Sequence, residues 1–231
     1  SLGLNLDMTR GKPCPEQLDL SIQLLNRSKY MSGKVDCRNY GGLEGLPEAR
    51  QLMADYLEAE PDKTIVAGNS SLALMHDVFV QALLRSVPGG FSSWASGMGN
   101  AIVLCPSPGY DRHYAICKHY GVKMMPINMD AHGPNLDQVA DMVRDPNVVG
   151  MWCVPKYSNP TGITYARHVV RELATLKTAN PGFRIFWDNA YAVHDLENKS
   201  ASLSNLLNLC EEHGNPNRVF VFGSMSKVTI A

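Results

Sequence analysis

No run in this chain approaches the ~20 consecutive apolar residues that a membrane-spanning helix needs. The opening Ser1-Leu2-Gly3-Leu4-Asn5-Leu6-Asp7 also lacks the basic and apolar regions of a secretory signal. Charge of one sign is missing as well. The 21 Lys and Arg nearly cancel the 22 Asp and Glu, leaving −1 and no field that would draw in nucleic acid or an anionic membrane. Six scattered cysteines include no C-x-x-C pair, and seven histidines form neither H-E-x-x-H nor H-x-x-x-H, which disfavours a disulfide framework and structural zinc. These absences point to a soluble, cytoplasmic protein with no metal, nucleic-acid or membrane partner. The chain begins without Met and stops at Ala231 inside what reads as a motif, so both ends are expected to continue.

What is present is a core. A 45% hydrophobic content over 231 residues suffices for a large buried interior and argues against disorder. Short apolar runs alternate with stretches of helical period, the pattern of βα units around a mostly parallel sheet. The expected strands are 64–67, 101–105, 122–127, 148–154, 184–188 and 218–222. Most are apolar throughout, as strands covered on both faces are. The expected helices are 70–86, 110–120, 135–144, 166–179 and 201–213. In the first, Leu72, Met75, Phe79 and Leu83 define one buried stripe. The segment before about residue 46 is rich in Gly, Pro and charge and reads as an extended arm with one short helix. Residues 87–100, carrying Pro88-Gly89-Gly90, read as a surface loop. Cys105 and Cys153 fall in apolar runs and are expected in the core.

Familiar nucleotide and hydrolase motifs do not hold. Gly97-Met98-Gly99 precedes a strand instead of following one, and Ile102 stands where a third Gly belongs. Neither Gly11-Lys12-Pro13 nor Gly33-Lys34-Val35 ends in the Ser or Thr of a P-loop, and no G-x-S-x-G elbow occurs. Ligands of open α/β sheets bind outside the carboxyl ends of the strands, so polar groups there carry the most weight. Those ends hold Gly68-Asn69-Ser70-Ser71, Ser158-Asn159-Pro160-Thr161-Gly162, Asp188-Asn189-Ala190-Tyr191 and Ser224-Met225-Ser226-Lys227.

In order and spacing, these motifs resemble the pyridoxal 5'-phosphate (PLP) site of class I/II aminotransferases. Arg10-Gly11-Lys12-Pro13, Pro108-Gly109-Tyr110-Asp111-Arg112-His113 and Trp187-Asp188-Asn189-Ala190-Tyr191 are similar to the aspartate-aminotransferase-like subgroup sometimes labelled with MocR. The resemblance runs over nearly the whole chain. It implies an α/β fold, with a mostly parallel central sheet and helices on both faces. Residues 1–46 would be an N-terminal arm and part of a small domain. Residues 47–231 would be the PLP-binding large domain, cut after the lysine motif, with the small domain incomplete.

The resemblance also assigns roles. Lys227 would hold the cofactor aldehyde as a Schiff base, lysine being the side chain whose pKa shifts most readily on desolvation. Asp188 would keep the ring nitrogen protonated, or by itself serve as a turn or cap residue. Tyr191 and Asn159 would hydrogen-bond the phenolic oxygen, and Tyr110 would stack on the ring. Asn69, Ser70 and Ser71 at a helix start, with Ser224 and Ser226, would hold the phosphate; Ser70 serves equally as a plain N-cap. Tyr40 would reach the phosphate of a partner in a homodimer. Gly11 and Lys12, with Asn159, would bind substrate. The implied reaction transfers an amino group between an amino acid, aspartate or similar, and a 2-oxo acid such as 2-oxoglutarate. Arg10, Lys12, Arg112 and Lys156 are nearby cations, but none is a clear carboxylate clamp, and the family's substrate-carboxylate arginine has no counterpart here. A PLP lyase on the same fold, the effector domain of a MocR-type transcription regulator and an inert fragment are the alternatives.

Overall fold

The computed structural model describes residues 13–26, 30–97, 100–196 and 202–229. Helix α1 (Pro15–Asp19) and a 3-10 turn (Ile22–Asn26) lead into a short antiparallel hairpin, β1 (Met31–Ser32) and β2 (Val35–Asp36). The arm therefore holds a hairpin that composition does not reveal. Helix α2 (Pro47–Leu57) begins with Pro at its first position, where the missing N–H costs nothing, and ends at Glu58 in the left-handed region, φ 53°.

The rest alternates strand and helix: α3 (Ser71–Leu84), β3 (Ile102–Ser107), α4 (Asp111–His119), β4 (Lys123–Asp130), β5 (Gly133–Pro134), α5 (Leu136–Met142), β6 (Val148–Cys153), α6 (Arg167–Thr175), β7 (Arg184–Asp188), α7 (Leu206–Glu212) and β8 (Val219–Phe222). Side-chain caps set three of the helix starts. Ser70, Asn135 and Asn205 accept from the backbone N–H three residues on, at 3.3, 2.9 and 3.0 Å. The Asn205 cap explains why α7 starts later than the apolar pattern suggests.

The six-stranded sheet has the order β5-β4-β3-β6-β7-β8, and every pairing from β4 to β8 is parallel; only β5 is antiparallel. Both faces are covered. Leu104, Met151, Ile185 and Trp187 pack with α5, α6 and α7, whereas Val103, Trp152, Phe186 and Phe222 pack with α3 and α4. Each such fully buried side chain contributes roughly 1.5–3 kcal/mol of transfer free energy. In α3, Met75, Phe79 and Leu83 are buried and Leu72 partly so, as the stripe requires. Cys105, Cys117, Cys153 and Cys210 are buried, Cys14 and Cys37 are exposed, and none is in a disulfide. No helix among the described residues is long and apolar enough to cross a membrane.

Two expectations need correction. Residues 64–67 are extended but belong to no strand. A strand needs a partner, and this segment and β8 both line a cavity of about 510 Å³, with no strand between them among the described residues. The 87–100 segment is not merely a surface loop either. Trp94 is buried, its Nε1 donates to the Gly182 carbonyl at 3.1 Å, and its ring meets Phe79 and Phe186 edge-on.

Candidate functional site

Because β3, β6, β7 and β8 run parallel, their carboxyl ends share one edge of the sheet, and the strand order reverses between β3 and β6. Crevices form at such reversals. Asp188 is the last residue of β7 and is 4% exposed. Its Oδ2 accepts from His113 Nε2 at 3.0 Å. Its Oδ1 is buried and meets no hydrogen-bond partner among the described residues. An orphaned carboxylate oxygen is costly to bury, so this atom calls for a donor.

His113 closes the Pro108–His113 motif, yet sequence reasoning gives it no role. It is 1% exposed, stacks on Trp152 with ring centroids 4.5 Å apart, and meets the Tyr110 ring edge-on at 5.0 Å. The available signal is its place three residues after Tyr110, on the same face of α4. Gly109 permits the approach to this helix. A Cβ there would clash with the Pro106 carbonyl oxygen and with Tyr114 Oη, which itself donates to that carbonyl.

After β7 the chain turns through residues 189–196. Burial pushes the Tyr191 phenol above its ordinary range, and the Asp188 charge and Tyr110 add to the shift. Tyr56 is raised by burial and by Asp188 in the same way, and its Oη donates to the Ser224 carbonyl at 3.3 Å. His194 Nε2 lies 3.0 Å from the Lys227 carbonyl oxygen. Two bonds hold this turn to the end of β6: Lys156 Nζ donates to the Ala192 carbonyl at 3.0 Å, and the Leu196 N–H donates to Tyr157 Oη at 3.2 Å. Lys156 is thus buried and engaged within the protein, with Asp195 3.6 Å away, which removes it as a substrate cation. Tyr157 itself has φ 47°, and Asn159 two residues on is exposed.

Lys227 closes a 3-10 turn (Met225–Lys227) directly after β8. Ser224 Oγ donates to Ser226 Oγ at 3.2 Å, and Ser226 Oγ reaches the Asn69 carbonyl at 3.5 Å. The Ser70 side chain caps α3, so capping is one job it performs. Asn69, Ser70, Ser71, Ser224 and Ser226 line the polar end of the 510 Å³ cavity; Asp188, Tyr191 and Lys227 do not line it. Tyr40 is fully exposed, and Arg10, Gly11 and Lys12 lie outside the described residues. Along that edge lie a buried carboxylate with one oxygen unpaired among the described residues and a lysine, neither lining the cavity, and a hydroxyl-rich helix start that does line it. The carboxylate can accept from a ring N–H, and the helix start can hold an anion.

The family model described as aspartate amino-transferase matches residues 1–231. An aspartate aminotransferase of Corynebacterium glutamicum is 40% identical over 235 residues, which cover 100% of this chain and 54% of that protein. A solved aspartate transaminase from the same organism superposes with a TM-score of 0.91 at 40% identity, over 99% of this chain and 55% of the other. An α-aminoadipate aminotransferase of Thermus thermophilus, complexed with N-(5'-phosphopyridoxyl)-L-leucine, shares the fold with a TM-score of 0.69 at 23% identity, over 95% and 52% of the two chains. The chain spans about half the length of the curated relatives it matches.

Proposed function

The chain belongs to the aspartate amino-transferase family, and we propose from that premise that it supplies the cofactor site of a PLP-dependent aminotransferase. The observation that carries this reading is the buried Oδ1 of Asp188, which has no partner among the described residues, while the other oxygen is held by His113. Oδ1 would accept the N–H of a protonated ring nitrogen. Bound PLP contributes an aldehyde that takes up an amine and a ring that draws electrons from the bond being broken.

The chain's own residues do the rest. Lys227 would hold the cofactor through its Nζ and, when that amine is free, would serve as the group that moves the substrate proton. Asp188 Oδ1 would keep the ring nitrogen protonated, and Tyr110 would stack on the ring. Tyr191 and Asn159 would donate to the phenolic oxygen. A phenol kept protonated by burial remains a donor at neutral pH. Asn69, Ser70, Ser71, Ser224 and Ser226 would bind the phosphate at the start of α3, where backbone N–H groups and the helix dipole favour an anion.

The substrates we infer are aspartate or a similar amino acid and a 2-oxo acid, in keeping with the name of the Corynebacterium relative. Gly11 and Lys12, which lie outside the described residues, would bind them with Asn159. Residues 1–46 are the arm and part of a small domain, and 47–231 the cofactor-binding domain. A homodimer in the cytoplasm fits the exposed Leu20, Leu24, Leu25, Tyr40 and Leu43 of the arm, with Tyr40 directed to the partner's phosphate. No observation favours the lyase or regulator readings. Lys227→Ala is expected to abolish turnover and the absorbance band of lysine-bound cofactor; steady-state amino transfer retained in that variant refutes the assignment.

A further inference from the structure

Beyond the residues already given roles, one side chain bridges two of the site's segments. His194 lies on the turn that carries Tyr191, and its Nε2 is 3.0 Å from the carbonyl oxygen of Lys227. We propose, resting on the reading above, that His194 is a positioning residue that fastens the backbone of Lys227 to the Tyr191 turn.

A carbonyl oxygen can only accept, so the proton must sit on Nε2. Nδ1 is buried with no partner among the described residues. The ring is held instead by its Nε2 bond and by the Tyr191 ring, which meets it edge-on with centroids 5.5 Å apart. The His194 N–H also donates to the Tyr191 carbonyl at 3.0 Å, so the two residues move as one turn. That turn is anchored to the end of β6 by Lys156 and Tyr157. The Lys227 side has less regular support. Its 3-10 turn is closed by bonds from the Val228 and Thr229 N–H groups to the Met225 carbonyl. His194 thus transmits the rigidity of the anchored turn to the lysine backbone. Lysine has to serve at two positions, attached and released, and a flexible side chain reaches both reproducibly only from a fixed backbone.

The test uses His194→Leu, which removes the donor, and His194→Gln, whose amide can donate from nearly the same place. In cofactor-free protein, the imidazole 15N shifts of His194 are expected to show the Nε2–H tautomer; an Nδ1–H tautomer overturns the proposal without any reference to activity. In the loaded protein, His194→Leu should lower kcat roughly tenfold with KM within about twofold, the scale of one lost hydrogen bond. His194→Gln should recover most of that loss. A Leu variant that behaves as wild type, or a Gln variant as impaired as Leu, overturns the proposal. Should the Leu variant not fold, the tautomer and the Gln kinetics still decide. A wild-type protein that forms no lysine-bound absorbance band refutes the underlying functional reading instead, while the 15N measurement continues to judge the His194 bond.

Discussion

His113→Phe isolates the support beneath Asp188. The substitution retains an aromatic ring against Trp152 but removes the donor to Oδ2, leaving a buried carboxylate with neither oxygen paired in cofactor-free protein. A hydrogen bond to a charged group is worth about 1.5–3 kcal/mol net, and an uncompensated buried charge adds to its loss. His113→Phe should therefore lose about 2–4 kcal/mol in urea unfolding at pH 7, a large part of an ordinary domain's stability. Asp188→Leu removes the charge but orphans His113 Nε2, costing about 1–3 kcal/mol. The double variant leaves no buried polar group at that contact, so its loss should fall short of the summed single losses by roughly 1.5–3 kcal/mol. Unfolding followed by tryptophan fluorescence measures all four proteins. Additivity within about 0.5 kcal/mol would refute the claim that the two side chains act as a unit.

Other tests are independent of the cofactor. Gly109→Ala should destabilise by about 2–4 kcal/mol in the same assay, because its Cβ meets the Pro106 backbone oxygen; an unchanged midpoint contradicts the close packing. Thiol labelling of the native protein should modify Cys14 and Cys37 quickly and the four buried cysteines only on unfolding, burial having pushed Cys153 and Cys210 up to about 12. Tyr56, Tyr114, Tyr165 and Tyr191 are all raised, chiefly by burial. Their contribution to stability is complete below the ordinary tyrosine pKa of about 10 and is lost as pH rises through the raised values. Phenolate absorbance should show these tyrosines ionising later in the native protein than in urea; coincident titrations count against the burial.

Local chemistry is legible along the chain where it depends on neighbours in sequence. The run Arg184–Asp188 reads as a covered strand because its middle is apolar up to the terminal carboxylate, and α3 reads as a helix from its stripe and Ser70 cap. The segment 64–67 has the same strand-like composition yet joins no sheet among the described residues, its Val66 N–H donating instead to the Glu44 carbonyl, since composition carries propensity while pairing requires a second strand at the right distance. Asp188 and Lys227 stand out by motif, but the bonds that hold them come from elsewhere. His113 is 75 residues from Asp188, and His194 is 33 from Lys227. The order of residues was thus enough to establish the alternation of strands and helices, the buried stripes and the polar groups at the strand ends. Which histidine meets which acceptor, and which carboxylate oxygen stays unpaired, emerged only on packing, because hydrogen bonds need ångström-scale geometry between segments far apart in the chain.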